Sequence, residues 1–424
     1  MRSSCTIFAL NFKNKMSDQR YNWKKNTALF LISQTISLFG TMLVQFAIMW
    51  HIVLETQSGV MMTIYVLVGV LPTFFTSLFG GVWADKFNKK RLINLSDGAI
   101  ALISLVIAIS LSAGMDSILM LMIAACIRAL GMGIRQPAIG AVIPVIVPKA
   151  QLLKINGINS SIQSGVFLVS PAAAAALMSF APLQVLFLVD VITAVLAIVT
   201  LHFFVKIRHI ENKTEDAEKA SHFTDLVAGL KYIKSHRYIL IMIVLSTLFA
   251  IFLSPLAFMT PLYVTRNFGE NIWLISAGEM AFAGGMMLGG VLVGIWCFRN
   301  KLYAIGLATL TTGVISVVMG VWVSVVPYLV VVIISGISVP YFNAPTMTLM
   351  QEKVNPAFLG RVMSLFVMLD SLALPFGMLV FGPLADIINI NYIFIGTGIA
   401  TFFVGVLYFV IKTFRKPELQ NNET

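Results

Sequence analysis

Residues 80–91, Gly-Gly-Val-Trp-Ala-Asp-Lys-Phe-Asn-Lys-Lys-Arg, place an aspartate and a cluster of basic residues between two long apolar runs at 60–82 and 92–113. Each run is long enough to cross a bilayer, which takes about 20 residues of α-helix. A short basic loop between two such runs is typical of a membrane protein whose loop stays on the cytoplasmic side. The stretch therefore predicts a pair of membrane helices.

The composition of the whole chain agrees with that prediction. Of 424 residues, 58% are hydrophobic and only 11% are charged, whereas about a quarter are charged in a soluble domain. This excludes a soluble enzyme, a disordered regulator and a fibrous protein. The net charge of +11 is better explained by membrane orientation than by nucleic-acid binding. The cysteines, Cys5, Cys126 and Cys297, are far apart and predict neither a disulfide framework nor a metal site.

Twelve apolar runs predict an all-α integral membrane protein with twelve transmembrane helices. These spans lie near 26–54, 60–82, 92–113, 117–136, 156–180, 183–205, 238–264, 272–297, 302–323, 327–349, 364–385 and 392–411. Only one break between them is long and polar. It divides the chain into an N-terminal segment, a first six-helix half, a cytoplasmic linker, a second six-helix half and a tail, at 1–25, 26–205, 206–237, 238–411 and 412–424.

The linker contains a helical pattern of its own. Apolar residues recur there at helical spacing, namely Phe223, Leu226, Val227, Leu230 and Ile233. Charged residues fall between them, so the pattern predicts an amphipathic helix along the cytoplasmic face. We interpret it as a structural strap between the halves, with a regulatory site as the alternative.

The distribution of lysine and arginine predicts the orientation. The termini and the even-numbered loops hold 26 of the 29 basic residues. Arg128 and Arg135 lie in span 4, and Arg266 alone falls in a loop on the opposite side. The positive-inside rule then places both termini and the linker in the cytoplasm of a multi-pass protein of the inner (cytoplasmic) membrane. The first 25 residues show no cleaved signal peptide, so span 1 is expected to serve as the targeting signal.

The two halves repeat each other at an offset of 208 to 209 residues. Gly80-Gly81-Val82 corresponds to Gly289-Gly290-Val291, and Pro137 and Pro148 correspond to Pro345 and Pro356. Each half has an even number of spans, so both run in the same direction. The repeats are therefore parallel, and a substrate site is expected near the midplane at the interface of the halves.

Two of these motifs resemble a known family. Residues 81–91 resemble the signature of the loop between spans 2 and 3 in the major facilitator superfamily. Residues 128–133, Arg-Ala-Leu-Gly-Met-Gly, are similar to the arginine motif in span 4 of its proton-coupled members. The resemblance runs over essentially the whole chain and implies the major facilitator fold.

Four further stretches resemble the macrolide-efflux branch of this superfamily. They are 21–24 (Tyr-Asn-Trp-Lys), 147–152 (Val-Pro-Lys-Ala-Gln-Leu), 351–356 (Gln-Glu-Lys-Val-Asn-Pro) and 359–362 (Leu-Gly-Arg-Val). The resemblance implies a transporter that exports lipophilic drugs in exchange for protons.

A cytoplasmic gate is the first candidate site. An aspartate at the end of a helix can accept hydrogen bonds from a neighbouring helix N-terminus or from an arginine, and so hold a gate closed. The resemblance implies this role for Asp85; the alternative is a solvated loop whose charges only set the topology. The predicted gate residues are Asp85, Gly81, Lys89, Lys90, Arg91 and Arg361.

Ionisable side chains inside spans form the second candidate site, because each is costly to bury without a partner. The four candidates are Glu279, Asp190, Arg128 and Asp370. Burial disfavours the charged form of a carboxyl, so these acids could exchange protons; a hydrogen-bonded structural carboxyl is the alternative. Arginine hardly loses its proton, so Arg128 is expected either to modulate a carboxyl or to form a fixed ion pair. Function and structure are equally supported for Glu279, whereas structure is favoured for Asp190 and Asp370.

Three uncharged polar residues, Gln34, Gln45 and Gln163, could line a substrate cavity or join helices by hydrogen bonds, and the second role is the commoner. The sequence has no phosphate-binding GxxxxGK[ST] loop and no HExxH or GxSxG motif. An enzyme and a cofactor are therefore not expected, and an ion gradient remains as the energy source. The expected partners are a small lipophilic substrate, protons and the lipid bilayer, with no nucleic acid, and a monomer is expected.

The leading hypothesis is proton-driven export of macrolide-like drugs. The alternatives are a transporter of a physiological metabolite, such as a siderophore, on the same fold, and a membrane scaffold or sensor that transports nothing.

Overall fold

The computed structural model describes residues 22–206, 222–295 and 300–411, and its helices within these ranges confirm the predicted all-α fold of twelve spans in two parallel repeats. The predicted tail, most of the N-terminal segment and linker residues 207–221 lie outside the described residues. Spans 1 to 12 are, in order, Trp23–Thr56, Gly59–Lys86, Lys89–Ser112, Ile118–Ile146, Leu152–Phe180, Leu183–Val199, Arg237–Phe258, Ile272–Ile295, Lys301–Val321, Val325–Lys353, Pro356–Ile387 and Ile390–Val410.

Several spans are longer than predicted, and span 4 shows the reason. Its helix was expected to end at residue 136 but continues to Ile146, with Pro137 and Pro144 inside it. Pro345 likewise lies inside span 10. Proline is tolerated in a membrane helix because neighbouring helices and local adjustments satisfy the backbone groups it leaves free. A proline in an apolar run is therefore a poor marker of a span's end.

The predicted span 7 consists of two helices. The first, Arg237–Phe258, is capped by Met259, and a short helix, Thr260–Phe268, follows directly. Pro261 stands in the first turn of that short helix. Proline has no N–H to donate and its φ angle already suits a helix start, which explains the new beginning at this point.

The described residues divide into two compact units. The first holds the residues up to Val44, Leu71–Val166 and the residues from Pro182 to 206. The second holds Gln45–Val70, Phe167–Ala181 and the described residues from 222 onward. One end of spans 1, 2 and 5 thus belongs to the same unit as spans 7 to 12. The division into halves at 206–237 stays a prediction.

Glycines hold spans 9 and 12 together in the second unit. A Cβ atom on Gly313 would lie 2.5 Å from the backbone nitrogen of Phe402 and 2.8 Å from the carbonyl oxygen of Gly398. Gly306 and Gly320, each seven residues from Gly313, are equally close to span 12. Small residues at such spacing let helix backbones approach closely, and this close packing replaces the hydrophobic effect inside a membrane.

The predicted amphipathic helix of the linker is present at His222–Ser235. Its end is fixed to the start of span 11: the Tyr232 ring stacks on Phe358 with centroids 4.6 Å apart, and the backbone N–H of Asn355 donates to the Tyr232 hydroxyl over 3.0 Å. Ile233 is buried, whereas Val227 and Leu230 remain about half exposed. The side chains of Phe223 and Leu226 lie outside the described residues.

Candidate functional site

A buried ion pair joins spans 4 and 6 in the first unit. The Arg128 guanidinium pairs with the carboxylate of Asp190, and the Ser104 hydroxyl of span 3 donates to the same carboxylate oxygen over 2.7 Å. Arg128 also donates to the carbonyl oxygen of Thr41 in span 1. Asp190 is 1% exposed and Arg128 is 5% exposed. The structure therefore brings together two of the four predicted proton-coupling residues.

A second buried ion pair lies in the same unit, and the sequence analysis missed one of its members. The Arg135 Nε atom lies 2.8 Å from Oδ1 of Asp97, and both side chains are at most 2% exposed. Ser37 donates to that carboxylate over 3.0 Å, and Arg135 Nη2 donates to the Oε1 atom of Gln34 over 3.1 Å. The missed member is Asp97, which stands inside the predicted run 92–113. A charged residue within an apolar run was the signal that could have identified it.

Both arginines project from one helix. Arg128 and Arg135 are seven residues apart, which is about two turns or 10 Å along span 4. Each is neutralised by an acid from another span, Asp190 or Asp97, so each pair fixes two helices together. Among the described residues, Oδ1 of Asp190 and Oδ2 of Asp97 have no hydrogen-bond partner. The remaining capacity of these carboxylates to accept a proton or a hydrogen bond is confined to those two oxygens.

Glu279 of span 8 stands in a different environment, in the second unit. It lines a cavity of about 70 Å³. The other lining residues are Phe167 of span 5, Leu256, Ala257 and Thr260 of span 7 and its continuation, Gly278 and Phe282 of span 8, and Val332 and Ser335 of span 10. None of these residues is basic. Within the described part of the chain, no ion pair or hydrogen bond reaches the Glu279 carboxyl.

The polar groups of the Glu279 cavity are hydroxyls. Thr260 donates to the carbonyl oxygen of Leu256 over 2.7 Å, and Ser335 donates to that of Val331 over 2.8 Å. Their hydrogens are thus used in bonds to carbonyl oxygens four residues earlier in the chain, and their oxygen lone pairs remain. An unpaired carboxylate in such a cavity is strongly disfavoured relative to a carboxylic acid, which can itself donate a hydrogen bond.

Asp370 of span 11, the fourth predicted proton-coupling residue, is half-buried.

The residues of the predicted cytoplasmic gate are only partly described. Asp85 lies in the last turn of span 2, and its side chain lies outside the described part of the structure. Asn88 caps span 3 by accepting hydrogen bonds from the backbone N–H groups of Lys90 and Arg91. The Lys90 ammonium donates to the carbonyl oxygens of His202 and Val205 over 2.7 and 2.8 Å. These carbonyls lie at the end of the π-helical turn Thr200–Phe204 that continues span 6.

The remaining gate residues have individual surroundings. A Cβ atom on Gly81 would meet nothing within 4 Å, and Lys89 is partly exposed. The Arg361 guanidinium lies over the Phe358 ring, 5.6 Å from its centroid, beside the linker helix. The gating role of these residues stays a prediction.

The three glutamines are placed differently from one another. Gln34 is 6% exposed and bonded to Arg135, so it joins spans 1 and 4. Gln45 is exposed, and its backbone carbonyl accepts a hydrogen bond from the Tyr65 hydroxyl over 2.8 Å. Gln163 is exposed on span 5. Gln34 therefore connects two spans, and a role in substrate binding stays a prediction for all three glutamines.

Parallel repeats of six apolar helices, with ionisable groups buried among them, define the architecture of a class of secondary transporters. The chain belongs to the major facilitator superfamily, whose family model matches residues 28–374.

The chain is also similar to individual known proteins. The chain is 29% identical over 405 residues to macrolide efflux protein A of Streptococcus pyogenes, covering 94% of this chain and 99% of that protein. It is 30% identical over 318 residues to macrolide efflux protein A of Enterococcus faecalis, covering 74% and 97%. A solved POT family transporter in complex with 5-aminolevulinic acid shares the fold, with a TM-score of 0.73 at 13% identity over 92% of this chain and 96% of that one.

Proposed function

We propose that this transporter exports lipophilic, macrolide-like molecules across the cytoplasmic membrane in exchange for protons, and that Glu279 carries the proton. The macrolide efflux proteins of two bacteria, each about 30% identical to the chain, support the substrate class. Both termini are placed in the cytoplasm by the distribution of basic residues. The proposal takes the monomer as the working unit, because one chain is predicted to contain both six-helix halves.

The position of Glu279 is the observation that carries the proposal. It lines a small cavity without a basic neighbour, whereas Asp190 and Asp97 are each held by an arginine. A fixed counter-charge favours the ionised form of a carboxyl. A carboxyl without one binds a proton readily and releases it when a cationic substrate or water reaches it. Of these acids, Glu279 is therefore the one best suited to exchange a proton.

The cycle requires that proton and substrate alternate. Protonated Glu279 carries its hydrogen while the site faces outward, and releases it once the site opens to the less acidic cytoplasm. The free carboxylate then favours a lipophilic cation, which the return step carries out. Phe167 and Phe282 on the cavity wall supply aromatic faces for such a cation. Each turn moves protons down their gradient and substrate up its own.

The test is transport by purified Glu279→Gln in proteoliposomes with radiolabelled erythromycin. Glutamine keeps the shape of the side chain and cannot titrate. The variant should lose uphill accumulation driven by a pH gradient, and it should retain substrate binding and exchange in the absence of a gradient. Glu55→Gln, which makes the same change at an exposed acid of span 1, serves as the matched control and should retain gradient-driven transport.

If Glu279→Gln still concentrates erythromycin under the gradient, the proton site lies elsewhere. Asp190, with Arg128 as its modulator, then becomes the next position to test.

A second experiment tests the substrate by measuring drug resistance and drug accumulation in a host without its own drug pumps. Resistance and lowered accumulation of macrolides support the proposal, and the absence of both, together with export of a physiological metabolite, would replace the drug by that metabolite.

A further inference from the structure

Asp386 stands at the end of span 11 and caps span 2. Its Oδ1 atom accepts a hydrogen bond from the backbone N–H of Gly59 over 2.7 Å, and Oδ2 accepts one from Val60 over 3.0 Å. The Ser58 hydroxyl donates to Oδ2 over 2.7 Å. The first N–H groups of a helix have no partner within the helix and carry partial positive charge. The carboxylate of one span thus satisfies the start of another.

Arg266 holds the same carboxylate from a third element, the short outer helix after span 7. Its Nη2 atom lies 2.8 Å from Oδ1 of Asp386, and its guanidinium also donates to the carbonyl oxygens of Ala385 and Gln57. Arg266 is the single basic residue that the sequence places in a loop on the outer side. A positive charge there opposes the orientation rule, and these contacts supply a reason for keeping it.

The backbones of spans 2 and 11 touch beneath this cluster. A Cβ atom on Gly59 would lie 2.1 Å from the carbonyl oxygen of Gly382, and one on Gly382 would lie 1.7 Å from the Thr63 hydroxyl. That hydroxyl donates to the carbonyl oxygen of Met378 over 2.9 Å. Thr63 is 3% exposed. Its side chain therefore becomes accessible only when spans 2 and 11 separate.

The turn before span 2 is strained in this arrangement. Gln57 has a φ angle of 44°, in the left-handed region that non-glycine residues rarely adopt. Its carbonyl oxygen accepts two hydrogen bonds from Arg266, and its side chain donates to Glu270 over 3.2 Å. The contacts of the cluster hold the turn in a conformation that it would leave if they broke.

We propose that Asp386 and Arg266 form a latch that closes the outer side of the transporter, and that both the span 2 N-terminus and Arg266 must release Asp386 before the outer side opens. This inference rests on the proposed transport cycle and on the predicted orientation. The ion pair of the latch is partly exposed to solvent: the side chain of Arg266 is 24% exposed and that of Asp386 is 27% exposed. Partly exposed ion pairs and helix-end charges contribute modestly, so the latch can open in each cycle.

The test measures how fast Thr63→Cys reacts with a water-soluble maleimide, in the full chain purified into lipid nanodiscs with the three native cysteines replaced by serine. Asp386→Asn keeps the shape and removes the charge, and Arg266→Gln removes the other partner. Each should raise the labelling rate about tenfold, because each shifts the population toward the outward-open state. Asp386→Glu, which keeps the charge, should stay within about threefold of the parent.

Glu55→Gln is the matched control, since it removes one exposed negative charge near the end of span 1 and makes none of the latch contacts. It should label at the parental rate. Unchanged labelling in both Asp386→Asn and Arg266→Gln overturns the latch, and so does an equal rise in Glu55→Gln. The assay needs neither substrate nor gradient. If the rates change as expected while erythromycin is not exported, the latch stands and the substrate proposal falls.

Discussion

Replacing Asp190 by asparagine should destabilise the protein strongly through Arg128. Asparagine keeps the size of the side chain and can still accept a hydrogen bond from Ser104, but it cannot neutralise the guanidinium. Arg128 is 5% exposed, and its other acceptors are uncharged: the Ser104 hydroxyl oxygen, and the Thr41 carbonyl oxygen at 3.3 Å. Breaking a buried ion pair from one side costs about 3–5 kcal/mol, because an uncompensated charge stays buried.

The effect is measured as the thermal midpoint of the detergent-solubilised protein. For a cooperative unit of 150–250 residues, about the size of one six-helix half, each kcal/mol lowers the midpoint by about 2–4 °C. Asp190→Asn should therefore lower it by about 6–20 °C. Adding Arg128→Gln should restore most of the loss, because the double variant buries no charge. Glu279→Gln should shift the midpoint by less than about 2 °C, because no basic residue lines the Glu279 cavity and none would be left unpaired.

Two results would refute this reasoning. One is a midpoint for Asp190→Asn no lower than that for Glu279→Gln, which would mean that the pair with Arg128 contributes nothing. The other is a double variant as unstable as the sum of the two single ones, since residues of one ion pair should not behave additively.

Three further predictions concern other parts of the molecule. In a cysteine-free background, Met115→Cys should label from outside the cell and Leu153→Cys should not, because the distribution of basic residues predicts opposite sides for these exposed positions. The reverse labelling pattern would invert the orientation. Gly313→Leu should destabilise the protein by about 1–3 kcal/mol in thermal scans because its side chain would enter span 12, whereas Gly396→Leu, with open space around it, should not. Asp85→Asn should slow efflux without affecting expression or substrate binding in equilibrium assays; an unchanged rate would leave Asp85 only a role in orientation.

The fold followed from the sequence because membrane crossing depends on local composition. Twenty apolar residues form a helix in lipid whatever their partners, since every backbone group must be satisfied within the segment. Span ends were less predictable: Pro137 was expected to follow span 4 and lies inside it. Whether a proline ends a membrane helix depends on how neighbouring helices satisfy the free backbone groups. The residues next to it in the sequence do not carry that information.

The site was only partly predictable for the same reason. Arg128, Asp190 and Glu279 could be selected because a charge inside an apolar run is conspicuous. Which of them form ion pairs depends on how the spans pack together. Arg128 and its partner Asp190, for example, are 62 residues apart in the sequence. The cap of span 2 by Asp386 was not predicted, because an acid near a span's end is ordinary and its partner lies 326 to 328 residues away.

The ion pair between Arg128 and Asp190 also affects the order in which the spans can enter the membrane during synthesis. Arg128 enters the membrane before its partner Asp190 exists, since 62 residues separate them. At about 5–20 residues per second, the ribosome needs about 3–12 s to supply that partner. During this delay the guanidinium has to remain near the insertion machinery or at the bilayer surface. Span 4 should therefore leave the translocon only together with span 6, so that the first half is released as a group of helices and not one helix at a time.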